Sequence, residues 1–150
     1  MKGEIVQFAF VLIVLVASAA AEEVAPAFAG VGLPLLLAFV LALSPRIGVV
    51  PGVMTAVAAG AFEDALAFLP PMTSVCFFVI AALLSRREGV PRPCLVAAFP
   101  AFELWAGMCA SGPVGDLFAR AFVAVPLGAV ALVVQRLTVD WGRGKAGIDE

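Results

Sequence analysis

Five ionisable side chains interrupt otherwise apolar runs of this sequence: Glu63 and Asp64 together, Glu103, Asp116 and Arg120. Carboxylates held away from water can accept protons, bind cations or pair with a guanidinium. At the centre of a lipid-embedded helix each costs ~2.5 to 3.5 kcal/mol, so such groups face protein or water rather than hydrocarbon. Proton-transfer catalysis needs a relay, and the sequence contains no His and no Tyr. Ser74 and Ser111 lie at the ends of runs without a base beside them, so an intramembrane enzyme is the weakest reading. Cys76, Cys94 and Cys109 stand singly, without the paired spacing of a zinc site or a disulfide framework, and read as buried bystander thiols. No metal or cofactor is expected.

The elements that must position these groups follow from composition. Of 150 residues, 63% are hydrophobic and 13% charged, with a mean hydropathy of +1.12. Soluble domains are ~45 to 50% apolar. One all-α membrane domain over residues 1–150 is expected, a bundle of about six transmembrane helices at ~25 residues per pass with its loop. The first run, Ile5 to Ala21, carries no charge and also has the outline of a signal peptide, with Lys2 before it and small residues at its end. In the second, Val24 to Leu43, Pro26, Gly30, Gly32 and Pro34 place the helix proper at Pro34 to Leu43. The third runs from Val49 to Leu69 and stops at Pro70-Pro71. Met72 to Leu84 is the fourth, Cys94 to Ala110 the fifth with a break at Pro100, and Val114 to Val134 the sixth with a kink at Pro126 and a polar tail from Gln135.

Orientation follows from the distribution of Lys and Arg, which stay on the cytoplasmic side. With the N-terminus inside, Lys2, Arg46, Arg86, Arg87, Arg92, Arg136, Arg143 and Lys145 fall on one side, leaving only Arg120 of the nine basic residues. Glu22 and Glu23, the Pro70-Pro71 turn and the Ser111-Gly112-Pro113 turn fall on the other. Both termini are then cytoplasmic, and Trp141 sits where an interfacial anchor would. Scattered basic residues and a net charge of -2 make nucleic acid an improbable partner.

Counting 1.5 Å per residue from the outer turns, Asp64, Arg120 and Glu103 lie about 9, 10 and 12 Å deep. The third, fifth and sixth helices should therefore meet in the outer half, with Arg120 countering Asp64 or Glu103 and Asp116 nearer the surface. Gly52, Ala56, Gly60 and Asp64 recur every four residues, continuing from Gly48, which makes one ridge of small side chains along which helix backbones approach closely. A partner or ligand cavity is expected from Gly52, Ala56, Gly60, Glu63, Asp64, Glu103, Trp105, Asp116 and Arg120. A structural ion pair holding the bundle together is the competing reading.

In Leu41-Ala42-Leu43-Ser44-Pro45-Arg46, then Gly52, then Gly60-Ala61-Phe62-Glu63-Asp64-Ala65-Leu66, the sequence resembles the MreD family of rod-shape-determining membrane proteins. The shared features are a helix ending in a basic loop and a glycine-spaced helix with an acid four residues after a glycine. The likeness is best from Leu35 to Arg87, and only Gly60 and Asp64 carry over as family positions. Pro70-Pro71 stands where the family usually has a glycine-bearing turn. The resemblance implies a non-enzymatic scaffold of the bacterial cell-elongation and peptidoglycan machinery in the cytoplasmic (inner) membrane. It would bind MreC and work alongside MreB, RodA and penicillin-binding protein 2. It also implies a bundle similar to the substrate-binding subunits of energy-coupling-factor vitamin transporters.

Two functions remain to be weighed. A scaffold would receive a partner helix in an outer-half cavity, whereas a transporter subunit would hold a small molecule there. The second needs aromatic and hydrogen-bonding side chains converging on the cavity. Trp105 is the only deep Trp and neutral polar residues are scarce in the spans, which favours the scaffold.

Overall fold

In a computed structural model that describes residues 2–25, 27, 31–87, 89–110 and 114–146, the chain is all-helical. Seven α-helices follow one another: α1 (Lys2–Val24), α2 (Leu35–Leu43), α3 (Val49–Leu66), α4 (Thr73–Ser85), α5 (Arg92–Val96), α6 (Ala98–Cys109) and α7 (Val114–Ala146). Each of the six apolar runs contributes a helix, but among the described residues three helices are long and apolar enough to cross a membrane, in α1 (Ile5–Val24), α3 (Val49–Leu66) and α7 (Asp116–Gly142). About six short transmembrane helices were expected; the other three, Leu35–Arg46, Thr73–Ser85 and Pro93–Cys109, are shorter apolar helices bounded or cut by Gly and Pro. Gly32 and Pro34 delay α2 until Leu35, and the turn that contains Pro70-Pro71 holds α4 back until Thr73. The fifth run breaks at Ala97 rather than at Pro100 itself. A proline ring clashes with the carbonyl four residues earlier, here that of Val96, the last residue of α5.

Helix α2 is apolar on every side, and all nine of its residues are buried. Such a helix belongs at the centre of a bundle, and α1, α3, α4 and α7 all pack on it. The most extensive helix pair is α3 with α4, followed by α6 with α7. Phe102 of α6 meets the rings of Phe77 and Phe78 of α4, with centroids 5.3 and 5.4 Å away.

One end of the bundle is basic. After α2 the chain makes a single 3-10 turn, Ser44–Arg46. The Arg86 guanidinium reaches back from the end of α4 and donates to the carbonyls of Ser44, Ile47 (2.7 Å) and Gly48 (3.3 Å), tying the α2–α3 connection to α4. Arg46 pairs with Asp140 of α7 at 2.8 Å. Gln135 to Gly142, which polarity alone marks as part of a tail, therefore belong to the bundle. Gln135 is buried and donates to Ser18 Oγ (2.8 Å) and Leu35 O (3.3 Å), while Gly142 lies against the Phe10 ring. Helix α7 runs unbroken through Pro126.

Candidate functional site

The opposite end gathers the acids. Glu22, in the last turn of α1, accepts the Leu36 N–H on Oε1 at 2.7 Å. Asp64, near the end of α3, accepts the Ser74 N–H on Oδ1 at 2.7 Å. Leu36 and Ser74 are the second residues of α2 and α4. The first N–H groups of a helix have no partner within it and carry the positive end of its dipole, which suits a carboxylate. Two successive hairpins are thus closed by one device, an acid on the outgoing helix capping the helix that returns. This device also explains how the charges are tolerated in an apolar bundle.

Glu63 lies between the two caps. Its carboxyl is within hydrogen-bonding reach of that of Glu22 and is close enough to Asp64 and Glu103 to interact with both charges. Glu103 pairs with Arg120 across α6 and α7 at 3.3 Å. Of the two partners the sequence leaves open for Arg120, the structure selects Glu103, and Asp64 is occupied with Ser74. Trp105 donates its indole N–H to the Thr73 carbonyl at 2.9 Å, fixing the start of α4 from the α6 side. Asp116 is exposed. The Ser111-Gly112-Pro113 turn lies outside the described residues.

The small-residue ridge is buried against the chain's own helices. Ala56 is fully buried, a side chain on Gly60 would meet the backbone of Ser74 and Val75, and one on Gly52 would meet Ser44 and Arg86. The cavity that does open, about 600 Å³, is not in the outer half as expected but lies toward the basic end, on another side of α3, between it and α1. Phe8, Val11 and Leu15 of α1 and Pro51, Thr55 and Ala58 of α3 are among its lining residues, and none of the nine residues expected to form a cavity borders it. The Thr55 hydroxyl is already donated to Pro51 O at 2.8 Å.

The sequence reading missed Glu22, which it placed in a loop. One signal was available: an acid in the last turn of a helix is opposed by that helix's own dipole, so it calls for donors from elsewhere. The three cysteines are exposed on the bundle exterior rather than buried, because in a membrane protein the outward face is apolar too.

No family model, curated protein or solved structure matches the chain. The chemistry must therefore be read from the groups themselves. Glu22 and Asp64 are engaged as caps and Glu103 as an ion pair, and no group of three metal-ligating side chains occurs among the described residues.

A cap and a charge can be told apart. Asp64→Ala removes the acceptor for the Ser74 N–H and is expected to cost ~1–2 kcal/mol, the scale of a lost cap. Asp64→Asn keeps a carbonyl oxygen there and removes the charge, so it should retain wild-type thermal stability in detergent. Equal losses for both variants would show that the charge, not the cap, matters.

Proposed function

We propose that this chain is a non-enzymatic scaffold of the bacterial cell-elongation machinery, resembling MreD. It would lie in the cytoplasmic membrane with both termini inside and bind the transmembrane helix of an MreC-like partner. MreB, RodA and penicillin-binding protein 2 would be its wider setting. The observation that carries the reading is the cleft between α1 and α3, two helices long enough to span a membrane. Gly48, Pro51, Thr55 and Ala58, with Ile47 and Met54 among them, give it a wall of mostly small residues over the start of α3, and larger side chains of α1 face it. Small residues let a second helix backbone approach closely where packing, not water, drives association. The clustering of Arg46 and Arg86 at one end supports the orientation.

A transporter subunit holding a small polar molecule is less well supported. Gln7 and Thr55 are the polar side chains on the cleft, and the Thr55 hydroxyl is already engaged.

The test places a photo-crosslinking residue at Met54, which borders the cleft and is 67% exposed, in cells co-expressing an MreC-like protein. Crosslinks to its transmembrane segment are expected, and Ala58→Leu, which fills the cleft, should abolish them. Adducts to lipid alone, or crosslinks unaffected by Ala58→Leu, would reject the cleft as the docking site.

A further inference from the structure

We propose that the α3–α4 turn is a membrane-inserting tip, with Phe68 seated among lipid acyl chains at the boundary of the hydrocarbon rather than in water or against another protein. This inference does not depend on which end of the bundle faces the cytoplasm or on the partner proposed above. Three independent features of the turn carry it.

The first is its composition set against its position. From Ala65 to Met72 there is no polar side chain, and Pro70 and Pro71 sit in the middle. A loop in water is ordinarily polar. The other end of the same hairpin shows the contrast, with Arg86, Arg87 and Glu88 in sequence after α4 and Arg46 before α3. Helix α3 has 18 residues, which at 1.5 Å each gives about 27 Å against a hydrocarbon thickness of about 30 Å. Its end at Leu66 therefore falls at the hydrocarbon boundary, and the turn begins there.

The second feature is exposure in a costly conformation. Phe68 is 95% exposed and Met72 is 62% exposed, while Leu69 between them packs on the core. Both exposed residues have left-handed backbone, with φ of 51° and 70°. Bulky side chains rarely adopt this region, and strain of that kind persists where the surrounding structure enforces it. Here it turns an aromatic ring and a thioether outward together.

The third feature is the hydrogen bonding of the backbone. Irregular backbone at membrane depth is tolerated only when its polar groups are satisfied internally. Ala67 N–H bonds Glu63 O (2.9 Å), Leu69 N–H bonds Asp64 O (3.0 Å), Thr73 N–H bonds Pro70 O (3.2 Å), and Cys76 N–H bonds Met72 O (3.1 Å). The Asp64 carboxylate takes the Ser74 N–H, and the Trp105 indole donates to the Thr73 carbonyl. Pro70 and Pro71 have no N–H to satisfy. The acid and the tryptophan that look like site residues in the sequence thus satisfy part of this turn's backbone. The N–H groups of Phe68 and Met72 are not among these bonds, which keeps the backbone at the headgroup level while the two side chains reach into the hydrocarbon.

The experiment uses the full chain with Cys76, Cys94 and Cys109 replaced by Ser, reconstituted in phosphatidylcholine vesicles. Phe68→Cys is compared with Arg87→Cys, an exposed position at the basic end, with a charged thiol reagent supplied on both sides of the membrane. Reaction at least tenfold slower at position 68 is expected. A fluorophore at position 68 should be quenched by lipids with nitroxide-labelled acyl chains and not by iodide. Equal reaction rates together with iodide quenching would put the turn in water and overturn the proposal. Slow reaction in native membranes but fast reaction in lipid vesicles would overturn it too, assigning the turn to a protein partner. Met72→Cys in the same turn supplies the same measurement if Phe68→Cys does not purify as a monodisperse species.

Discussion

Arg120→Ala is expected to be far more damaging than Glu103→Ala, although the two residues form one ion pair. The Glu103 side chain is 14% exposed and the Arg120 side chain 43%. Removing Arg120 leaves the Glu103 carboxylate without a cation, beside the Glu63 carboxyl. An uncompensated buried charge costs ~3–5 kcal/mol. Removing Glu103 instead leaves a long, half-exposed guanidinium that can swing toward the membrane surface or toward Asp116, one turn away on the same helix. That loss should be closer to ~1 kcal/mol, the scale of a partly exposed pair. The double reversal Glu103→Arg with Arg120→Glu restores the attraction and sets a guanidinium beside Glu63, so it should recover most of the stability lost in Arg120→Glu. Melting temperature and the monodisperse fraction in detergent read all four variants. Equal single losses, or a double variant no better than its worse parent, would mean that the pair does not hold α6 to α7.

How far the sequence foretells this arrangement depends on which physical property carries the information. Apolarity locates the helices, and Pro34 and the Pro70-Pro71 pair mark where α2 begins and where α3 and α4 part. Apolarity does not locate the end of α7. A drop in hydropathy at Gln135 marks the end of a lipid-facing segment, yet the helix continues, because Gln135, Asp140 and Gly142 each find a partner on α1, the α1–α2 side or the turn after α2. Counting depth from the turns brings Arg120 and Glu103 to the same level, which is why their pairing is legible as one of two options. It cannot reveal that Asp64 binds a backbone N–H, since depth ranks side chains and says nothing of helix N-termini. Glu22 escapes for the same reason. The spacing of Gly52, Ala56 and Gly60 announces a close approach without naming the neighbour, and the neighbour proves to be internal. The cleft between α1 and α3 is not legible at all, because it depends on how two helices diverge.

Gly60 should be among the least replaceable of the described glycines. A Cβ at this position would sit 2.6 Å from Val75 Cα, 2.7 Å from Val75 N and 2.9 Å from Ser74 C, all of them backbone atoms of α4. No rotamer change relieves such contacts, so α4 itself must move away. Overpacking a tight interface costs ~1–3 kcal/mol. The same displacement draws the Ser74 N–H away from Asp64 Oδ1, adding the ~1 kcal/mol scale of a lost hydrogen bond. Gly60→Ala should therefore destabilise by roughly the sum, ~2–4 kcal/mol, and Gly60→Val by more. At Gly52 the nearest atoms are Ser44 Oγ (3.1 Å) and an Arg86 guanidinium nitrogen (3.3 Å), so Gly52→Ala asks only two side-chain ends to give way. At Gly32 nothing lies within 4 Å, and Gly32→Ala should leave the melting temperature unchanged. The graded series, severe at Gly60, mild at Gly52 and silent at Gly32, separates backbone contact from any general intolerance of alanine. Because Gly60 and Asp64 act on the same first turn of α4, Gly60→Ala combined with Asp64→Ala should lose less than the two losses added together. Full additivity would mean that the ridge and the cap hold α4 independently.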